Sequence, residues 1–166
     1  MLNWLKHDGA RGLYNIEIAS FEEMGRGIKT LIPIEKDCLI MAIPKSTLWT
    51  TDAADNDPLI GTIIKPLSTN DKLAMFILFV KSHKTDYEDR WQHVDSMPKI
   101  CSGSLFFTNE ELEICKGSAL SMYTQKLRSQ IVEDYAKLQK TILSKNQDLF
   151  PPDKFTLEEV ITRIFY

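Results

Sequence analysis

The chain has 166 residues, of which 43% are hydrophobic and 26% charged, values that are ordinary for a globular protein of about one domain. Its formal net charge of −3 argues against strong, sequence-independent binding to nucleic acid, which needs a basic surface. The longest apolar run, Leu73–Val80, is far too short to span a bilayer, so no association with a membrane is expected.

The cysteines and histidines do not have the spacing of a metal site. An odd number of cysteines, none paired at ligand spacing, gives no reason to expect zinc. Free thiols suit a reducing compartment, so a cytoplasmic or nuclear location is expected. The residues concerned are Cys38, Cys101, Cys115, His7, His83 and His93.

Residues 1–50 have the pattern of short strands and turns. Apolar residues at Tyr14, Ile16 and Ile18 alternate with other residues, which predicts a half-buried strand. A turn is predicted at Gly25-Arg26-Gly27. The continuous apolar run Cys38–Ile43, ended by proline, predicts a strand that is buried on both faces.

Residues 51–69 have the composition of a connector, and the period becomes helical from Asn70. Either Ser68 or Asn70 is a candidate N-cap for the first helix. A loop containing Trp91 and Pro98 is predicted to follow it. The apolar stripe of the first helix is Leu73, Phe76, Ile77 and Val80.

Two capping boxes and one long helix are predicted in the second half of the chain. Thr108 and Glu111 have capping-box spacing, as do Thr156 and Glu159. The longest helix is predicted from about residue 120 to 143. The fold class is therefore α+β, with small β-sheets followed by an all-helical segment. The stripes are Leu127, Ile131, Tyr135, Leu138 and Ile142 in the long helix, and Leu157, Val160, Ile161 and Ile164 in the last one.

The glycine pair in Glu22–Gly27 is the first candidate for a binding site. Glycines two apart let the backbone approach a ligand closely, although such a pair is more often only a turn. No third glycine or helix follows, which excludes a dinucleotide fingerprint, and the Gly-Lys-Ser/Thr of a phosphate loop is absent.

Two further candidates carry charged or titratable side chains. Arg163 lies off the centre of its helix stripe, so it is either a solvated residue near the helix C-terminus or a guanidinium that binds a ligand carboxylate. His93 and Asp95 are a candidate acid–base pair, with a structural role as the stronger alternative.

Read in order, these segments resemble the SET-domain methyltransferases related to Rubisco large-subunit lysine methyltransferase, a group that includes actin-histidine methyltransferase. The likeness covers nearly the whole chain, and its specificity comes from the order and spacing of individually weak motifs. The motifs are Trp4–Ala10, Glu23–Gly27, Ile34–Lys45, Leu73–Leu78, Trp91 with Met97-Pro98, Phe107–Leu112 and Val160–Arg163.

The resemblance implies S-adenosylmethionine as cofactor and a protein lysine as methyl acceptor, with histidine as an acceptor within the same group. The cofactor would lie against the backbone of Glu23, Met24, Gly25 and Arg26, and Arg163 would hold its methionine carboxylate. The implied domains are 1–50 for the N-terminal part of the SET domain, 51–159 for a helical insert and 160–166 for the start of the C-terminal SET part.

The likeness is incomplete, because no segment matches the family's Asn-His motif or its catalytic tyrosine. Both follow the insert in the family, and Tyr166 matches neither. No catalytic residue is therefore assigned, the SET fold is expected to be incomplete, and this fragment alone is expected to be inactive. The alternative function is a non-catalytic protein-interaction module, or a truncated remnant of such an enzyme.

Overall fold

The computed structural model describes residues 2–97 and 102–164, so the predictions at Pro98, Cys101 and Tyr166 lie outside the described residues. The chain divides into two units, one up to Leu48 and one from Trp49 onwards. The assignment of SET subdomains to 1–50, 51–159 and 160–166 stays a prediction.

The helices and strands come in an order that confirms the α+β class, because one hairpin is followed by helices. The first unit contains α1 (Leu2–His7), β1 (Ile16–Phe21) and β2 (Gly25–Thr30). The second contains α2 (Thr51–Asp55), α3 (Gly61–Ile64), α4 (Thr69–Ser82), α5 (Glu88–Ser96), α6 (Asn109–Ile114), α7 (Ala119–Thr141) and α8 (Leu157–Ile164).

The first unit is built on the antiparallel hairpin of β1 and β2. Its register runs from the pair Ile16 and Thr30 to the pair Phe21 and Gly25, which closes the loop. The alternation predicted for β1 is not kept, because Ile16 is buried whereas Ile18 is 38% exposed. Tyr14 precedes the strand in a short 3-10 helix and is exposed. The predicted strand is therefore confirmed from Ile16 onwards.

The strand predicted at Cys38–Ile43 is wrong. Within the described residues, this segment makes a single antiparallel bridge, in which Ala42 and Arg11 exchange two backbone hydrogen bonds of 3.0 Å. Leu39, which lies within this run, is 76% exposed. A strand is defined by its ladder partners, and those are not encoded in the local apolar run.

Helix α4 is the centre of the second unit. Its N-terminus is capped by Ser68, whose hydroxyl accepts from the backbone N–H of Asp71 at 3.3 Å. Every residue from Ala74 to Val80 is buried, so the helix is apolar on all sides rather than along one stripe. It packs against α2, α5 and α8. The aromatic side chains Phe76, Phe79, Phe150 and Phe155 belong to the same buried cluster.

The capping box at Thr108 and the long helix are confirmed, the box predicted at Thr156 forms, among the described residues, only the bond from the backbone N–H of Glu159, and the predicted loop around Trp91 is helical. The box at Thr108 and Glu111 has both of its hydrogen bonds. Thr156 accepts from the backbone N–H of Glu159 at 3.3 Å, which caps α8. Trp91 lies within α5, where its spacing to buried Val94 places both on one face. Helix α5 has too few apolar residues to form a helical stripe, so its sequence pattern did not predict a helix.

No helix within the described part of the chain has both the length and the apolar character needed to cross a membrane.

Candidate functional site

Arg163 is the least expected side chain of the second unit, because it is charged and yet only 8% exposed. It lies in the last turn of α8. Its Nη1 lies 3.6 Å from the sulfur of Met97, which is a weak acceptor. Its buried Nε has no hydrogen-bond partner among the described residues. The solvated arginine that was one reading of the sequence is therefore excluded.

An unpaired guanidinium in this position is costly for the fold alone. Arginine stays charged at any accessible pH, and a buried charge is normally paired with an anion. Buried polar groups without partners are rare in proteins and concentrate where a ligand or ion completes the hydrogen bonds. The surroundings of Arg163 therefore fit an anion-binding site.

Arg163 opens onto a cavity of about 430 Å³ between α5 and α8. Its wall combines apolar, acidic and basic side chains. The apolar part comes from Trp91, Val94 and Met97, the acidic part from Asp95, Asp153, Glu158 and Glu159, and the basic part from Lys81 and Arg163.

The two cations of this cavity have different partners. The ammonium of Lys81 donates to both carboxylate oxygens of Glu159, at 2.8 and 2.7 Å. Arg163 has no carboxylate within ion-pair distance among the residues that the structure describes. The positive charge of Arg163 is thus the one left for a ligand. Sequence reasoning missed Lys81, because 78 residues separate it from Glu159 and no local pattern connects them.

The hairpin residues predicted to bind cofactor are placed at the tip of β1 and β2. The predicted turn at Gly25-Arg26-Gly27 is wrong in position: the loop is Glu22–Met24, and the two glycines begin β2. Glu23 and Gly25 have positive φ angles of 63° and 74°. A Cβ at Gly27 would lie 3.0 Å from the ring of Phe21. The glycines are thus required by the hairpin itself, independently of any ligand.

Glu23, Met24, Gly25 and Arg26 are all exposed on this tip. The tip and Arg163 belong to different units, and their assignment to a single cofactor site stays a prediction.

His93 and Asp95 have separate environments. The Nδ1 atom of His93 accepts a 2.7 Å hydrogen bond from the indole N–H of Trp49. Asp95 lies on the cavity wall beside α8. Residues two apart on a helix do not face each other, so the pair is not an acid–base couple, and His93 has the structural role that was the stronger alternative.

The sequence is similar to protein methyltransferases over most of its length, although no family model matches it. It is 25% identical over 159 residues to fructose-bisphosphate aldolase-lysine N-methyltransferase of Arabidopsis thaliana, covering 95% of this chain and 32% of that protein. It is 26% identical over 157 residues to the Rubisco large-subunit N-methyltransferase of Pisum sativum, covering 94% and 31%. Actin-histidine N-methyltransferase of Drosophila melanogaster is 24% identical over 137 residues, with coverages of 82% and 25%.

Solved structures share the fold. The structure of Rubisco LSMT bound to AdoMet superposes with a TM-score of 0.85 at 22% identity, covering 98% of this chain and 37% of the other. The SET domain of LSMT bound to lysine and AdoHcy gives 0.83 at 23% identity, with the same coverages. The chain thus spans about a third of the length of these relatives. Its motifs, sequence similarity and fold together identify it as a relative of the SET-domain protein methyltransferases of the Rubisco large-subunit lysine methyltransferase and actin-histidine methyltransferase group.

Proposed function

We propose that this chain is part of an S-adenosylmethionine-dependent protein-lysine N-methyltransferase, in which Arg163 binds the methionine carboxylate of the cofactor. The observation that carries the proposal is the buried guanidinium, whose Nε has no partner among the described residues. A planar, permanently charged fork is the donor that best matches a carboxylate. The similar solved structures bound to AdoMet or AdoHcy support this choice of ligand.

The acidic wall of the cavity suits the remainder of the same ligand. The amino-acid end of S-adenosylmethionine carries an ammonium beside the carboxylate, and its sulfur is a cation. Asp95, Asp153 and Glu158 line the cavity with Arg163, so anionic and cationic groups of one small zwitterion would each meet the opposite charge. We also propose, as the resemblance implies, that the backbone groups of the exposed residues Glu23–Arg26 bind the cofactor.

When bound, the cofactor would supply a methyl group on a positively charged sulfur: a neutral acceptor amine would bond to the methyl carbon as its bond to sulfur breaks, S-adenosylhomocysteine would leave, and the methylated amine would lose a proton. The residues of this chain bind and orient the cofactor, and positioning of this kind contributes much of the rate in such a displacement. We propose a protein lysine as the acceptor, as in the lysine methyltransferases among the relatives, with histidine as the alternative within the group.

The site is tested by isothermal titration of the chain with S-adenosylmethionine. The variant Arg163→Met should weaken binding by about 10- to 100-fold, the range expected for loss of a charge-assisted hydrogen bond. Arg163→Lys should recover part of this loss, because it keeps the charge without the fork. Arg11→Met replaces an exposed arginine of the first unit and should bind like the unmodified chain.

Decarboxylated S-adenosylmethionine provides the chemical counterpart of the mutation. It should bind the unmodified chain and Arg163→Met with equal, weak affinity, because the group that Arg163 recognises is missing. If Arg163→Met binds the intact cofactor as well as the unmodified chain does, the proposed carboxylate site is wrong.

A non-catalytic interaction module is the second candidate, and one surface favours it. Helix α7 exposes the neighbouring side chains Met122 and Tyr123, at 67% and 65%. Exposed apolar side chains of this size are typical of helices that dock a partner. A pull-down with the chain should lose a specific partner on Met122→Ser/Tyr123→Ser. A cytoplasmic or nuclear location is proposed for either function, because Cys38 and Cys115 are free thiols.

A further inference from the structure

Glu159 and Arg163 are neighbours on the surface of α8. They are four residues apart, which places them on one face of the helix, with the acidic residue nearer the N-terminus. This is the order in which helical ion pairs form most readily. Both side chains also line the same cavity. From the helix alone, Glu159 is therefore the obvious partner for the guanidinium of Arg163.

The structure has a different pairing. Both carboxylate oxygens of Glu159 accept hydrogen bonds from Lys81. Among the described residues, the hydrogen bond of Arg163 goes to the sulfur of Met97 instead. The other carboxylates of the cavity are also outside ion-pair distance of Arg163, and Asp153 is paired with Lys154 at 3.4 Å. The carboxylate of Glu159, which is the anion nearest to Arg163 along the helix, is therefore paired with Lys81 instead.

The backbone position of Lys81 is set by the core. It follows Val80, the last of the buried residues of α4, and α4 packs directly on α8. The side chains of Lys81 and Glu159 are both 36% exposed, so this pair contributes little to the stability of the fold. The effect of the ion pair on the cavity is electrostatic. The charges of Lys81 and Glu159 neutralise each other, whereas the charge of Arg163 is not neutralised by a carboxylate of the described residues.

We propose that Lys81 is a positioning residue for ligand binding, which holds Glu159 away from Arg163 and so keeps the guanidinium available for an anion. The identity of that anion as the cofactor's carboxylate rests on the proposed function. Without Lys81, the carboxylate of Glu159 turns to Arg163 and occupies the fork that the ligand needs. Lys81 would thus act on the ligand only through Glu159.

The test compares four variants in titrations with S-adenosylmethionine. Lys81→Met should weaken binding about tenfold, because the ligand must now displace Glu159 from Arg163. Lys81→Met/Glu159→Gln should restore the affinity, since the competing carboxylate is gone. Glu159→Gln alone should bind at least as tightly as the unmodified chain. Lys140→Met removes an exposed lysine from the last turn of α7 and should have no effect.

Restoration by the second substitution separates this mechanism from simple damage to the fold, which a substitution of Glu159 would not repair. Lys81→Arg, which keeps a cation opposite Glu159, should also retain binding. If the double variant stays as weak as Lys81→Met, Lys81 contacts the ligand itself and the inference is wrong. If Lys81→Met binds normally while Arg163→Met does not, the inference fails and the proposed function stands. If neither variant weakens binding, the proposed function fails.

Discussion

The indole N–H of Trp49 donates a 2.7 Å hydrogen bond to Nδ1 of His93, 44 residues further along the chain. An accepting Nδ1 requires the neutral ring, with its proton on Nε2. Burial lowers the pKa of His93, and the nearby positive charge of Arg90 lowers it further. The residue therefore joins the segment before α2 to α5 only while it is uncharged.

We predict that His93 makes the chain less stable in mild acid. Its folded-state pKa is below the unfolded value of about 6.5. Its contribution is therefore complete above about pH 6.5 and is lost as the pH falls towards the folded pKa, because the unfolded chain binds the proton first. Urea midpoints measured at about pH 7.5 and about pH 5.5 should differ less in His93→Asn than in the unmodified chain.

The matched control for this pH effect is His7→Asn, which changes the exposed histidine of α1. It should keep the acid destabilisation of the unmodified chain. An equal pH dependence in His93→Asn and His7→Asn would contradict the role given to His93.

Tyr87→Phe is predicted to destabilise the fold by about 1–3 kcal/mol, because it removes a donor from a buried carboxylate. The hydroxyl of Tyr87 donates at 2.6 Å to Oδ2 of Asp57, whose Oδ1 accepts from the backbone N–H groups of Leu59 and Ile60 at 3.0 Å. Burial and the carboxylate of Asp57 raise the pKa of Tyr87, so the donor proton stays in place. Chemical denaturation measures the loss, and Tyr14→Phe, at an exposed site, should be neutral.

Gly61→Ala is predicted to destabilise, although alanine is normally the better residue in a helix. A Cβ at Gly61 would lie 2.4 Å from the carbonyl oxygen of Asp55, so α3 would have to move away from α2. Overpacking of this kind costs about 1–3 kcal/mol. Thermal unfolding of Gly61→Ala and Gly103→Ala gives the comparison, since a Cβ at Gly103 meets nothing within 4 Å. Equal melting temperatures would refute the packing argument.

Arg128→Lys is predicted to release the segment before α6. The guanidinium of Arg128 donates at 3.0 and 2.8 Å to the carbonyl oxygen of Leu105, and it also binds that of Phe107. A lysine ammonium is a single point on a flexible stem and does not span two carbonyls in a fixed plane. Hydrogen exchange of the segment 103–107 should accelerate in Arg128→Lys while exchange in α4 is unchanged. Unchanged exchange in the segment would show that other contacts hold it.

Helix ends were predictable because their chemistry is local. The caps at Ser68, Thr108 and Thr156 each depend on a side chain and a backbone N–H that are three residues apart. The same holds for α7, whose long apolar stripe placed its ends within about two residues of Ala119 and Thr141. Nothing distant in sequence had to be known.

The predictions that failed depended on partners elsewhere in the chain. The run Cys38–Ile43 has the composition of a buried strand, yet within the described residues only Ala42 finds a bridge partner. The burial of Arg163 depends on Met97 and the packing of α8 against α4, which no spacing within α8 reveals. For the site residues of the hairpin, Glu23–Arg26, the sequence identified a real bend but misplaced it by a few residues.

The burial of α4 on every side has a consequence for how the protein is made. Seven consecutive apolar residues, Ala74 to Val80, leave the ribosome before Phe150, Phe155 and Val160, which complete their cluster. During that interval this apolar segment is exposed and can bind chaperones or other nascent chains. Nascent chains arrested between α4 and α8 should therefore bind chaperones and aggregate. Chains long enough for α8 to emerge from the ribosome should do neither.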